Sequence, residues 1–205
     1  MRRKFLLAIA IGVAGLLGAT AAQAEVKYYW DITQQKFVGY EMGDLARYQV
    51  GSRASPVKRE LIDYVGPYKP KTIIISTSER RLYYVFEGGK AYKYGVGVGR
   101  EGFTWAGTNR ISRKAEWPSW SPPQVMIERE RKRGRILPAY MEGGINNPLG
   151  ARALYIGSSI YRIHGSNEPW TIGQAVSSGC IRMTNDDVVH LYEQVGIGTR
   201  VVVLH

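Results

Sequence analysis

Residues 71–99, KTIIISTSERRLYYVFEGGKAYKYGVGVG, constrain the fold more than any other stretch of the chain. β-Branched and aromatic residues dominate it, and such side chains suit a pleated, half-buried surface better than a helix. Ser78, Glu79 and Arg80 interrupt the run once; Gly88-Gly89 interrupts it again and supplies the positive φ that a tight hairpin requires. The pattern predicts strand, turn, strand, hairpin, strand. Further strands are predicted over 109–115, 153–157, 161–164 and 200–204. One helix is predicted near the end of the chain. Thr184 or Asn185 caps it, Asp186 and Asp187 suit its N-terminal dipole, and Val188, Leu191, Tyr192 and Val195 fall at i, i+3, i+4 and i+7. The fold class is therefore mainly β with one or two short helices.

Gly95, Gly97 and Gly99 end the β-rich stretch and superficially match a dinucleotide-binding loop. That loop needs a helix opening at its third glycine and an acidic residue about twenty positions on. Arg100-Glu101-Gly102-Phe103 follows instead, without helical period, so the glycines are expected in a strand or bulge that another backbone or a substrate approaches closely.

Upstream the texture differs. Residues 25–70 are polar, sprinkled with Gly and Tyr, and end in Pro67 and Pro70; they read as an extended arm or linker with at most a short strand near 61–65. Residues 1–24 combine Arg2, Arg3 and Lys4, an apolar run, and Ala22-Gln23-Ala24, which is the pattern of a Sec-type secretory signal peptide with a small-x-small cleavage site. Nothing after Ala24 is apolar for long enough to span a bilayer, so no transmembrane segment is expected after cleavage, and the expected location is the periplasm. The chain's formal charge is +11. Three of those cations and no acids lie in residues 1–24, leaving +8 on the remaining 181 residues. A basic surface favours anionic partners such as acidic lipid or an anionic wall polymer; it equally serves solubility alone. Export argues against nucleic acid.

The chain has one cysteine, Cys180, in AVSSGCIRM. In an oxidising compartment cysteines usually pair, so a lone thiol is inert and buried, an intermolecular bridge, or reactive. His164, in RIHGSNEPW at the end of a predicted strand, lies upstream with 15 residues between it and Cys180. A thiol is a strong nucleophile only as thiolate, and an imidazole within hydrogen-bond reach is the usual means of removing its proton. Gly179 lets a substrate carbonyl approach the backbone, so the N–H groups of Gly179 and Cys180 are candidates for an oxyanion hole. Arg182 either favours the thiolate by its charge or holds the loop. His190 and His205 read as structural or incidental, and the His and Cys spacing suits neither a zinc site nor a dithiol centre.

IHG, a gap, and then SSGCIRM resembles the signature of the L,D-transpeptidase catalytic domain, also called the YkuD domain: His-Gly, a spacer, then Ser/Thr-x-Gly-Cys-apolar-Arg/Asn. The stretches IIISTSERRLYYVFEGGK, WAGTNRISRKAEWPSWSPP, NPLGARALYIG and NEPWTIGQAVSSGCIRM are similar to exported Gram-negative members, and the resemblance covers residues 71–205. It implies an L,D-transpeptidase-like β-sandwich with a flap over the active-site cleft. It implies Cys180 as nucleophile, His164 as base and the Gly165 carbonyl as the group that orients the imidazole. The implied reaction is attack on the third-residue carbonyl of a peptidoglycan tetrapeptide stem, release of D-alanine, and transfer of the acyl group to an amine. That amine belongs to another stem, an outer-membrane lipoprotein or a free D-amino acid. No metal or cofactor is implied, and carbapenems are implied to acylate the same cysteine.

Ser178 stands where many members carry a second histidine, which leaves thiolate stabilisation and acceptor choice open. Ser177 and Ser178 are candidate substrate contacts. In residues 116–150, where the family carries its flap, Trp117, Trp120, Tyr140 and the cluster Arg129, Arg131, Lys132, Arg133 and Arg135 are candidates for holding an anionic stem; alternatively the tryptophans pack under a long loop and the charges form a solvated face. Two other readings stay open: a carboxypeptidase or amidase using water as acceptor, and a catalytically silent wall-binding domain.

Overall fold

A computed structural model describes residues 26–31, 36–41, 55–101, 103 and 105–205. The signal-peptide segment 1–24 lies outside the described residues. In chain order the elements are β1 (Val26–Asp31), β2 (Lys36–Glu41), β3 (Glu60–Asp63), β4 (Thr72–Ser76), β5 (Arg81–Phe86), β6 (Lys90–Gly95), β7 (Val98–Gly99), β8 (Gly107–Glu116), α1 (Gln124–Lys132), β9 (Arg152–Ile156), β10 (Arg162–His164), β11 (Ala175–Ser177), β12 (Ile181–Arg182), α2 (Asn185–Gln194) and β13 (Arg200–Leu204). A 3-10 turn, Pro169–Thr171, precedes β11.

Nine strands form one sheet in the order β12-β10-β9-β8-β13-β4-β5-β6-β3. Its β4-β5-β6 meander is the one the sequence predicts, with Gly88 and Gly89 at φ 80° and 66° in the second turn. The last strand, β13, lies in the middle of the sheet, parallel to β4 and antiparallel to β8. The sheet curls until Gly97, just past β6, bridges Arg182 of β12 through two backbone bonds of 2.8 Å. Ile73, Ile75, Leu82, Tyr94, Ile111, Leu154, Ile163, Ile181 and Val203 fill the space it encloses, all at most 1% exposed. α2 closes the core with Val188 and Leu191. Its cap is Thr184, whose Oγ accepts from the Asp187 N–H at 3.0 Å. Asn185, the alternative cap, uses its side chain elsewhere: Oδ1 accepts from the Ala151 N–H at 2.9 Å.

Two elements differ from expectation. The arm segment was expected to hold at most a short strand near 61–65; β3 is that strand and adds an edge to the main sheet, but β1 and β2 also pair upstream as an antiparallel hairpin. Tyr64 and Tyr68 cover the outer-face cluster of Ile74, Val85 and Ala91, which explains why every residue of β4 is buried. Residues 116–150 were expected to carry a flap, and nine of them form α1. Its sequence, QVMIERERK, consists mostly of strong helix formers directly after Pro122-Pro123, a signal that was available. Gly95 and Gly99 sit where close approach requires them. A Cβ on Gly99 would lie 2.4 Å from the Phe103 carbonyl oxygen and 3.2 Å from the Gly179 Cα.

Candidate active site

The site begins with a two-strand ladder. β10 and β12 run parallel, with Ile163 opposite Ile181 and His164 opposite Arg182. Side chains alternate along a strand, so if the two isoleucines enter the core, Arg162 and His164 on one strand and Cys180 and Arg182 on the other must turn to the opposite face. They do: all four line a cavity of about 420 Å³. The core thus dictates which residues face the chemistry.

His164 is 4% exposed and its Nδ1 lies 2.6 Å from the Gly165 carbonyl oxygen. A carbonyl can only accept, so Nδ1 carries the proton and Nε2 keeps its lone pair. Burial, reinforced by the Arg182 charge, pushes the imidazole pKa down to about 3. Gly165 has no room for a side chain, since a Cβ would meet Asn185 Oδ1 at 2.3 Å.

Cys180 is half-buried, and its Sγ donates a long contact to the Ile160 carbonyl at 3.9 Å. Burial raises its pKa; the charge and N–H groups of Arg162 and the charge of Arg182 oppose that rise. At neutral pH the resting pair is therefore an uncharged thiol and an uncharged imidazole.

The loop before the cysteine is held by its own polar groups. Ser177, 3% exposed, donates its hydroxyl to the Cys180 carbonyl at 2.6 Å and accepts the Gly179 N–H at 3.1 Å. Gly179, at φ 105°, packs under Tyr161, whose ring stacks on Trp105 with centroids 4.9 Å apart; Trp105 Nε1 donates to the Gly179 carbonyl at 3.3 Å. The Gly179 N–H, expected as an oxyanion donor, is thus committed to Ser177, and the glycine is required by the tyrosine ring beneath it. Ser177, expected at the substrate, lines the cavity and also tethers the loop.

Arg182 pairs with Glu168 at 3.0 Å, which supports loop-holding rather than a free charge. Across the cavity stand α1 and the segment after it. Trp120, Met126, Arg129, Glu130, Arg135, Leu137 and Met141 line this roof. Trp120 and Met141 exchange backbone bonds of 2.8 Å, and Arg129 Nη1 reaches Ser178 Oγ at 3.5 Å, linking roof to cysteine loop. Glu130 holds Arg129, Arg133 and Arg135 at 3.1, 3.4 and 3.2 Å.

Trp117 and Tyr140 are not brought to the cavity wall. Trp117 adopts φ 39°, donates its N–H to Ala151 and packs against Gly143; Tyr140 is 58% exposed. Arg131, Lys132 and Arg133 are exposed outside the lining. His190 accepts or donates at Tyr94 Oη (2.9 Å), away from the cavity, as a structural residue. Sequence reasoning missed Arg162, Glu168 and the Trp105-Tyr161 stack; two-residue periodicity back from His164 was the available signal for Arg162. Among the described residues no three His, Cys, Asp or Glu side chains gather as a metal-ligand set.

Residues 70–203 match the family model of the L,D-transpeptidase catalytic domain, YkuD. The chain is 39% identical over 139 residues to the "Probable L,D-transpeptidase ErfK/SrfK" of Escherichia coli K12, covering 65% of this chain and 44% of that protein. It is 40% identical over 134 residues to the "Probable L,D-transpeptidase YbiS" of the same organism, covering 63% and 43%. The chain thus spans less than half the length of these curated relatives. The crystal structure of L,D-transpeptidase 3 from Mycobacterium tuberculosis superposes with a TM-score of 0.51 at 16% identity, covering 65% of this chain and 60% of that one, a likeness of fold.

Proposed function

The chain belongs to the L,D-transpeptidase catalytic domain family, and from that membership we propose that it is a peptidoglycan L,D-transpeptidase acting through Cys180. The observation that carries the reading is the placement of His164 and Cys180 on one face of the β10-β12 ladder, in one cavity, with Nδ1 committed to Gly165.

In the proposed reaction, His164 Nε2 takes the thiol proton as Sγ attacks the third-residue carbonyl of a tetrapeptide stem. The tetrahedral intermediate collapses, the C–N bond breaks, and the imidazolium returns its proton to the departing D-alanine amine. A thioester remains on Cys180. An acceptor amine then gives its proton to Nε2, attacks the thioester, and leaves as an amide while the thiol is restored. The acceptor is a second stem peptide, a lipoprotein amine or a D-amino acid. Because both groups rest uncharged, the ion pair exists only during turnover.

The roof supports a role in holding the donor. Arg129 and Arg135 present cations to the cavity, and Trp120, Met126, Leu137 and Met141 surround them with apolar surface. An anionic stem fits that combination, and Ser178, joined to Arg129, stands at its edge. The charged and apolar pattern of residues 1–24 supports work in the periplasm.

The test is incubation of the protein and of Cys180→Ala with purified disaccharide tetrapeptide, read by mass spectrometry. A cross-linked dimer or D-amino-acid exchange product from wild type alone is expected. Tripeptide with free D-alanine and no new amide would replace transfer by hydrolysis. When the protein is incubated with a carbapenem in place of the tetrapeptide, a covalent adduct on Cys180 is expected by mass spectrometry.

A further inference from the structure

One cation in the cavity wall has no task in that cycle. Arg162 donates Nη2–H to the Ile160 carbonyl at 3.1 Å, and its Cζ lies 5.5 Å from the Tyr155 ring centroid. Its Nε–H is sealed from solvent without an acceptor. A buried donor left unmade costs about 1–3 kcal/mol, more when charged, so its retention calls for a state in which the donor is used.

The thiol supplies that state. Parallel pairing of Ile163 with Ile181 puts Arg162 level with Cys180, one residue back on each strand and on the same face. The Ile160 carbonyl that takes Arg162 Nη2–H also takes the Cys180 S–H. Once the thiol proton has gone, sulfur has nothing to donate and that carbonyl repels it. We infer that Arg162 Nε–H is the hydrogen-bond donor held for the Cys180 thiolate, so that sulfur passes from donating to Ile160 to accepting from Arg162 as the proton moves to His164 Nε2. Only the S–H bond breaks; the proton rests on the imidazole and the negative charge faces the guanidinium.

Two further observations favour Arg162 over its neighbour. Arg182 is already ion-paired with Glu168 at 3.0 Å. Among the influences that counter burial at the thiol, the charge of Arg162 is the largest. With Ser178 in place of a second histidine beside the cysteine, a guanidinium from the adjacent strand supplies the positive partner. The inference rests on Cys180 being the acyl-accepting nucleophile.

The experiment is the rate of iodoacetamide alkylation of Cys180 against pH, in the full chain, for wild type, Arg162→Met and Arg162→Lys, with Tm and tetrapeptide transfer measured beside it. Arg162→Met is expected to raise the alkylation midpoint by about one pH unit, equivalent to about tenfold less thiolate at neutral pH, and to lower kcat with KM little changed. Arg162→Lys, which keeps charge but loses the Nε donor, is expected to fall between. An unchanged midpoint in Arg162→Met overturns the inference, and a lower Tm with that unchanged midpoint assigns Arg162 a structural role only. If Arg162→Met does not fold, the midpoint of Arg162→Lys decides alone, unchanged meaning overturned. Cys180→Ala retaining transfer would instead overturn the nucleophile assignment, a result the alkylation curves cannot mimic.

Discussion

The floor and the roof of the cavity are built by opposite means. The floor, β10 and β12, places its reactive groups by backbone register: two buried isoleucines point one way and therefore four functional side chains point the other. The roof, α1 and the segment after it, is held by charges around Glu130 and by one backbone bridge between Trp120 and Met141. Ladder bonds and core packing hold positions closely, whereas ion pairs such as those of Arg133 and Arg135, whose side chains reach solvent, contribute little apiece. On the proposed function, the chemistry falls to the ladder wall and the handling of substrate to the ion-paired one.

The contrast is broken most severely by disturbing the floor. Gly179→Ala forces a φ of 105° on an alanine and drives its Cβ to 2.4 Å from the Tyr161 ring, which Trp105 holds. The dihedral alone costs about 1–3 kcal/mol. The expected outcome is a lower Tm and a loss of about 10²-fold in kcat from the displaced thiol; retained kcat would show that the floor is as adaptable as the roof.

Acid sharpens the same comparison. The folded-state pKa of His164 is depressed to about 3, against an unfolded value near 6.5. Between those values the unfolded chain binds a proton that the native state refuses, so stability falls as pH drops from about 6.5 towards 3, by up to about 1.4 kcal/mol per unit, and is unaffected by this group above 6.5. His164→Gln is expected to flatten that part of a Tm against pH curve.

Roof changes are expected to act on binding. Arg129→Ala removes a cavity cation and its contact with Ser178, and is expected to raise KM about fivefold with kcat unchanged in steady-state assays. The smallest effect is expected from the exposed Arg131, Lys132 and Arg133 replaced together by Ala: weaker binding to purified sacculi at low salt, disappearing at high salt. Unchanged binding at low salt would show these charges to be a solvated face.

How far the site can be read from sequence follows the same division. His164 and Cys180 stand out because residue type, spacing and flanking motif coincide, and the Gly88-Gly89 hairpin and the α2 cap follow from local chemistry. Arg162 does not stand out, because its meaning depends on which strand lies beside β10, and that pairing joins residues 18 apart through a core no local pattern specifies. Trp117 and Tyr140 were expected at the substrate for being aromatic in the right segment. Backbone conformation decides otherwise, turning one onto Gly143 and the other to solvent. Ser177 and Gly179 belong to the motif, yet their hydrogen bonds go to the loop itself.

The position of β13 has a consequence in time. Residues 200–204 form the strand between β8 and β4, so the meander at 72–95 and the ladder at 152–182 become one sheet only through β13. Without that strand two half-sheets stay unfinished, and pairing across more than 120 residues is slow to form. Removing these five residues is therefore expected to cost the whole domain rather than one edge of it, read as loss of the cooperative thermal transition.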